Sequence, residues 1–314
     1  MKQIDVNGVA LSEIALGAGG RGDIADDQKW FAVMDHYMEY GGRTFDSARM
    51  YGGGKSDEAL GRWLKGNGLR DEITIVAKGC FPDHDTMHIP RLSPQDIKGD
   101  LELSLKAMGT DHSDLYLLHR DCPTKPVSEI MPPLHELIME GKTRAIGCSN
   151  WTVGRIIEAN LYAEEHGLTP FSLCQLHYSL ALTTAAQTGD ITHVPMADVE
   201  FGWYKESQFP IMGFGAQGRG YFKRLLNGEE LRAGDWRYYN WIPENRKRAE
   251  RLATLSRELG RSPAALLVAY TRDAGLNCVP LCAYSSAAQM DEAFDALNFS
   301  LTPEQIAYLD GKTA

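Results

Sequence analysis

At 314 residues the chain could hold two average domains or one α/β barrel, and a core of that size needs no metal or disulfide staple. Hydrophobic residues at 43% and charged residues at 24% are ordinary for a globular protein in water, and a net charge of −10 argues against broad contact with nucleic acid or anionic membranes. The six cysteines, at 80, 122, 148, 174, 278 and 282, form no CxxC and no disulfide framework, so buried reduced thiols are expected, as in a reducing cytosol. Residues 1 to 5 carry no signal-peptide core and no apolar run approaches a membrane span, which sets a cytoplasmic location as the expectation.

Residues 3 to 12 alternate around Asn7-Gly8 and predict a β-hairpin, a plug or lid ahead of the main fold. A short strand at 13–16 opens into the glycine string Gly17 to Gly22, and a helix follows from about Asp26, with Trp30, Phe31, Val33, Met34 and Tyr37 at helical spacing. Next comes Gly41 to Glu58. There Thr44 and Phe45 end a strand, Asp46 meets a loop, and Tyr51 falls in a Gly-rich turn. Ser56 is expected to cap a helix whose first turn holds Asp57 and Glu58 against the positive end of the dipole.

From here a unit repeats. Apolar strands are expected near 73–77, 114–118, 144–148, 172–176, 210–214 and 277–281, with helical patterns such as Ile97, Leu101, Leu105 and Met108 between them. Ser93-Pro94, Ser262-Pro263 and Thr302-Pro303 each read as a cap followed by proline at the first helical position, whereas Pro132-Pro133 obscure the start of the fourth helix. With the strands at 13–16 and 43–46 the total is eight, which predicts a single (β/α)8 TIM barrel, an α/β fold, with an N-terminal β-hairpin and one domain over 1–314. The long irregular stretches are 81–92, 179–208 and 226–243. The last carries Trp236, Tyr238, Tyr239 and Trp241, which either pack on one another or stack on a substrate.

In such a barrel the active site lies at the C-terminal strand ends. Those ends deliver Asp46, Lys78, His119, Ser149-Asn150 and Gln175 on successive strands. A lysine or histidine that closes an apolar strand is costly to bury alone, so five polar ends in register argue for a shared site.

These residues also carry a resemblance. Gly42 to Gly52 (GRTFDSARMYG), Asp96 to Asp111 continuing through His119, and Gly141 to Asn150 (GKTRAIGCSN) resemble the aldo-keto reductases, and the likeness spans nearly the whole chain. It implies a catalytic tetrad of Asp46, Tyr51, Lys78 and His119, and an NAD(P)H cofactor bound without a Rossmann fold. The chemistry agrees: hydride transfer to a carbonyl builds negative charge on its oxygen, and a phenol with pKa ~10 still holds the proton that oxygen needs. Lys78 would lower that pKa, Asp46 would hold the ammonium, and His119 would orient the carbonyl.

The resemblance further implies that Ser149, Asn150 and Gln175 bind the nicotinamide carboxamide and that Phe214 stacks on its ring in place of the usual tyrosine. Gly215, Ala216, Gln217 and Gly218 match the pyrophosphate clasp without its usual Ser-Pro-Leu pattern. Ser285, Ser286, Gln289 and Glu292 match the adenosine side, yet Ala283 to Ser286 offers no cation for a 2′-phosphate. NADP is the expected cofactor, with NAD also usable and Arg219 or Arg224 as substitute cations.

The rival readings are distinct. The glycine strings Gly17–Gly22 and Gly213–Gly218 have the spacing of a dinucleotide fingerprint, but such strings arise easily in a chain with 31 glycines, and the acidic partner would fall at Asp35 inside a helical pattern. Lys78 could be the Schiff-base nucleophile of a barrel aldolase. A non-catalytic NADPH-binding regulatory subunit, as among channel-associated relatives, is the third. His84, Asp85 and His88 read as a solvated loop, with no metal expected. The expected partner is a small carbonyl substrate, sugar-like ones included, and the short run beyond the last helix points to an open site; neither substrate nor oligomeric state is legible.

Overall fold

The computed structural model describes residues 1–17 and 27–312. Beyond Gly17, the first glycine string lies outside the described residues, as does Asp26. The chain resolves into two compact units, Met1–Gln175 and Leu176–Ala314.

Strands β1 (Gln3–Val6) and β2 (Val9–Ser12) form the antiparallel hairpin, with Asn7 (φ 52°) and Gly8 (φ 82°) both left-handed in its two-residue turn. Eight parallel strands close into a barrel: β3 (Ala15–Gly17), β4 (Thr44–Asp46), β5 (Thr74–Gly79), β6 (Ser113–Leu118), β7 (Thr143–Ser149), β8 (Cys174–His177), β9 (Ile211–Phe214) and β10 (Cys278–Cys282). Their order is β10-β3-β4-β5-β6-β7-β8-β9, the (β/α)8 arrangement that the repeating pattern predicts. β6 is buried along its whole length, which is why Leu115 to Leu118 read as a continuous apolar run and not as an alternation.

In the first unit the helices are α1 (Asp27–Glu39), α2 (Lys55–Asn67), α3 (Pro94–Met108), α4 (Val127–Met139) and α5 (Val153–Glu165). α3 starts as expected: Ser93 Oγ accepts from Asp96 N at 3.1 Å and the Asp96 carboxylate reaches back in a capping box. Its apolar positions Ile97, Leu101, Leu105 and Met108 are all buried. α4 starts at Val127 and runs through both prolines, anchored by fully buried Ile130, Leu134 and Leu137. The hairpin is a plug at the N-terminal strand ends: Ser12 N donates to Thr44 Oγ1 and Thr74 Oγ1 donates to Ala10 O, both at 2.8 Å, and these threonines open β4 and β5. The opposite ends of the same strands carry Asp46 and Lys78.

In the second unit the expected caps also form. Ser262 Oγ accepts from Ala265 N at 3.1 Å for helix Pro263–Asp273, and Thr302 makes a capping box for Pro303–Asp310. The 226–243 stretch is not a plain loop, because it contains a helical turn at Ala233–Asp235 and a π-helix at Trp236–Asn240. All six cysteines are free and five are buried.

Candidate active site

The site in the first unit begins with the way the chain leaves β4. Ser47 N donates to Val76 O at 2.9 Å and Arg49 N to Lys78 O at 2.8 Å, so the ladder to β5 continues past Asp46 and holds the following loop against that strand. The chain then turns at Ala48 O, which accepts from Tyr51 N at 2.9 Å. Gly52, Gly53 and Gly54 take φ of 60°, 66° and 98° in succession, a path that side chains with a Cβ resist. A Cβ on Gly54 would also come within 1.8 Å of Arg49 Nη1. This glycine run delivers the chain into α2 at Lys55, with Gly54 at the cap position.

Ser56 is therefore not the cap. It lies inside the first turn, buried, with its hydroxyl 3.2 Å from Ser47 Oγ. Asp57 and Glu58 do stand in the first turn of α2, as expected, but Asp57 is fully buried. Its carboxylate accepts from Ser47 Oγ at 2.5 Å and Ser104 Oγ at 2.7 Å, tying α2 to α3 and to the residue that follows Asp46. Burial leads in raising the Asp57 pKa, against the pull of both hydroxyls, Arg49 and Lys78. Helical periodicity alone misses this burial, because its partners Ser47 and Ser104 lie ten and forty-seven residues away.

Asp46, Lys78 and Tyr51 form one cluster. Lys78 is fully buried and its ammonium is paired with Asp46 Oδ2. The other Asp46 oxygen accepts from Gln175 Nε2 at 2.7 Å. Both oxygens are thus held, as a buried carboxylate requires. Lys78 Nζ lies 4.9 Å from the centre of the Tyr51 ring. For Lys78, burial is the largest influence and opposes the charge, but Asp46 and Tyr51 together outweigh it and leave the pKa above its ordinary value. Burial likewise dominates at Tyr51 and, with Asp46, pushes the phenol up, while Lys78 and Arg120 pull against it without prevailing. Lys78 does pull the phenol pKa down, as expected, but the net direction differs from the expectation, because the lysine only moderates a rise that desolvation imposes.

His119 follows β6, with its N–H bonded to Gly79 O at 2.8 Å. Its ring meets Tyr51 edge-on at 5.7 Å and Phe81 at 5.0 Å. Arg120 donates to His119 O at 2.8 Å and places its guanidinium 4.6 Å above Phe81. Burial above all, then Arg120 and Lys78, hold the imidazole pKa well below its usual 6.5, so the ring is neutral at pH 7. Its buried Nδ1 meets no hydrogen-bonding partner.

The residues expected at a nicotinamide also converge here. Asn150 adopts φ 57° after β7, and its Nδ2 donates to Ser149 Oγ at 3.0 Å. Asn150 N donates to Gln175 O at 3.0 Å. Gln175 turns its amide nitrogen to Asp46, a second task that its strand-end position alone does not reveal. Polar side chains held at the ends of adjacent strands, one on a left-handed backbone, suit the amide of a nicotinamide.

In the second unit Phe214 is half-buried, edge-on to His177 at 5.6 Å and to His193 at 5.7 Å. The Gly215–Gly218 loop turns on itself through Gly218 N to Gly215 O at 2.7 Å. A Cβ on Gly215 would meet the His177 ring at 2.8 Å, so the close approach demands glycine. Ser285 Oγ donates to Gln289 Oε1 at 2.7 Å, Ser286 caps helix Ala287–Phe294, and Glu292 pairs with Lys223 at 3.1 Å. Arg224 is committed to Asp235 by two charged hydrogen bonds, of 2.6 and 2.5 Å. Arg219 is exposed, with its guanidinium 4.7 Å above the Tyr238 ring. Of the four loop aromatics Tyr239 is buried, whereas Trp236 and Trp241 remain 42% and 68% exposed with their rings 5.8 Å apart.

His84, of the histidine loop, opens a short 3-10 turn (His84–Thr86) with its ring 5.7 Å from Phe81. Among the described residues no group of three or more His, Cys, Asp or Glu could hold a metal, and no helix is long and apolar enough to cross a membrane.

Several proteins of known sequence or structure resemble this chain. A putative aryl-alcohol dehydrogenase of Saccharomyces cerevisiae is 28% identical over 96% of this chain and 83% of its own length. Norsolorinic acid reductase of Aspergillus flavus is 27% identical over 98% of this chain and 78% of its own. The crystal structure of a thermostable aldo-keto reductase, solved with the inhibitor epalrestat, superposes with a TM-score of 0.76 at 21% identity, covering 99% of this chain and 100% of that one, a likeness of fold. The aldo/keto reductase family model matches residues 13–314, and the chain belongs to that family.

Proposed function

We propose that this protein reduces an aldehyde or ketone to an alcohol with NAD(P)H, using Tyr51 as proton donor. The observation that carries the reading is the buried Lys78–Asp46 pair against Tyr51, with a neutral His119 edge-on to the same ring. Bound NAD(P)H supplies the hydride. Tyr51, a phenol that is protonated at neutral pH and whose pKa burial raises further, gives its proton to the carbonyl oxygen as charge develops there. His119, neutral, can hydrogen-bond that oxygen without competing as a strong acid. Lys78 limits the rise in the phenol pKa, and Asp46 with Gln175 fixes the ammonium in place.

The aldolase alternative fares poorly on the same geometry. A Schiff-base lysine attacks as the free amine, and Lys78 is paired with Asp46, its pKa raised. A purely regulatory subunit would have no use for a tuned phenol. The barrel order supports reading 1–314 as one domain, in keeping with a single-barrel enzyme. The deciding experiment is NADPH and NADH oxidation scanned across aldehydes, ketones and keto-sugars. Turnover of a carbonyl is expected, and none with any of them at high enzyme concentration would remove the reading.

For the cofactor we favour NADPH, with Ser149 and Asn150 at the nicotinamide amide and the Gly215–Gly218 loop at phosphate. Arg224 is occupied by Asp235, which leaves Arg219 to supply the missing cation for the 2′-phosphate. A charge-assisted hydrogen bond contributes roughly 1.5–3 kcal/mol, so Arg219→Ala should narrow the NADPH-to-NADH ratio in kcat/KM by about tenfold to hundredfold. An unchanged ratio would return the preference to another group.

For the substrate, relatives named for aryl alcohols and the exposed Trp236 and Trp241 favour an aryl or other bulky carbonyl beside the sugar-like class. Trp236→Ala and Trp241→Ala should each raise KM for an aryl aldehyde several-fold more than for a two- or three-carbon aldehyde. Equal KM values in both variants would assign the pair to self-packing.

A further inference from the structure

We propose that Asp57 is a positioning residue for carbonyl reduction: it closes the base of the loop that carries Tyr51 and so holds the phenol in place against Lys78. The inference rests on the reading of Tyr51 as proton donor. Ser47 opens that loop directly after Asp46, and Asp57 stands where the chain has become the first turn of α2. The Ser47 hydroxyl donates to Asp57 Oδ1 at 2.5 Å and lies 3.2 Å from Ser56 Oγ, so the two ends of the loop are joined side chain to side chain.

Between those ends the chain is a poor scaffold. Gly52, Gly53 and Gly54 all sit at positive φ, and glycine gives up more conformational freedom on ordering than any other residue. The backbone bonds to β5 come from Ser47 and Arg49, on the near side of Tyr51. On the far side the chain passes through the glycines into α2, and the bond from Ser47 to Asp57 returns that side to the strand end. Ser104 Oγ, donating from α3 to the other carboxylate oxygen at 2.7 Å, fixes Asp57 itself.

A tie between two helices does not need a charge. Burying a carboxylate is costly, and Asp57 is fully buried with a hydroxyl, not a cation, on each oxygen. Arg49 and Lys78 act on it through space, and burial leads over both in raising its pKa. Ser104 alone would join α2 to α3. The second bond, to the residue after Asp46, is the one that bears on the reaction. A small displacement of Tyr51 from the carbonyl it must protonate slows that step far more than it weakens cofactor binding.

The test compares two serines that meet the same carboxylate. Ser47→Ala frees the loop base from Asp57, whereas Ser104→Ala loosens Asp57 from α3 and leaves the loop closed. Single-turnover reduction at saturating cofactor should slow about tenfold to hundredfold in Ser47→Ala and in Asp57→Ala, with cofactor Kd changed less than about threefold, and stay within about threefold of wild type in Ser104→Ala. Ser47→Ala combined with Asp57→Ala should be no slower than Asp57→Ala, since both changes cut one bond. Thermal melting reports the stability each change costs, and where Asp57→Ala fails to fold the serine pair decides alone. A second readout needs no turnover. In protein made with tyrosine isotope-labelled at Cζ, the Tyr51 NMR signal, assigned by its loss in Tyr51→Phe, should shift or broaden in Ser47→Ala and hold in Ser104→Ala. A wild-type protein that reduces no carbonyl would remove the reading of Tyr51 as donor, and the NMR comparison would still decide whether Asp57 holds the ring. Equal slowing by both serine variants, in step with their lost stability, would make Asp57 a structural tie and overturn the proposal. So would a Tyr51 signal that stays in place in Ser47→Ala.

Discussion

Replacing Tyr51 with phenylalanine should lower kcat for carbonyl reduction by about 10²–10⁴ while leaving the fold and nicotinamide binding nearly intact. The change removes one oxygen from a half-buried ring and keeps the ring's contact with His119. No neighbour can take over the proton. Lys78 is an ammonium held by Asp46, and losing its proton would leave that carboxylate buried without its counter-charge. His119 is neutral at pH 7, its pKa held well below 6.5, so it stores no acidic proton in the working range. The measurement is single-turnover reduction at saturating cofactor, with binding followed separately by fluorescence quenching. A variant that binds the cofactor and still turns over near the wild-type rate would place the donor elsewhere.

What the sequence reveals about this site follows from which forces are local. The caps at Ser93, Ser262 and Thr302 depend on residues three apart, and all three form. The strand-end positions of Asp46, Lys78 and His119 are equally legible, because buried parallel strands write themselves as short apolar runs and the polar residue closing each run stands out. Where a partner sits far along the chain, that reading stops. Asp57 is legible as a first-turn acid of α2, but its burial against Ser104, forty-seven residues on, is not. Gln175 reads from sequence only as a ligand for the cofactor, and its bond to Asp46, at a separation of 129 residues, adds a task that the sequence does not show. Arg219 and Arg224 are interchangeable as letters, and only Asp235 tells them apart. The direction of the Tyr51 pKa is hidden for a related reason. A neighbouring lysine can be guessed from strand register, but the depth of burial that outweighs it belongs to the assembled site.

The second large effect is expected at Lys78. Lys78→Met leaves Asp46 buried with Gln175 as its remaining partner, and breaking a buried pair from one side costs on the order of 3–5 kcal/mol of stability. Because the folded pKa of Lys78 is raised, the pair's contribution is fully present below the ordinary lysine value near ~10.4 and fades as pH rises through the folded one. The stability gap between wild type and Lys78→Met should therefore be wide at neutral pH and shrink only in strong alkali. To separate this loss from catalysis, Asp46→Asn is combined with Lys78→Met, which removes the stranded charge and should recover much of the stability. Catalysis should not recover. Burial then raises the Tyr51 phenol with its main counterweight gone, since Lys78 lowers that pKa more than Asp46 raises it. A weaker acid reduces the carbonyl more slowly, so kcat should stay down by about 10²–10⁴ in the double variant. In the reverse direction the phenolate is the base, and the rising limb of alcohol oxidation should move to higher pH. If the stabilised double variant reduces carbonyls at the wild-type rate with an unshifted profile, Lys78 holds the fold and does not tune the phenol.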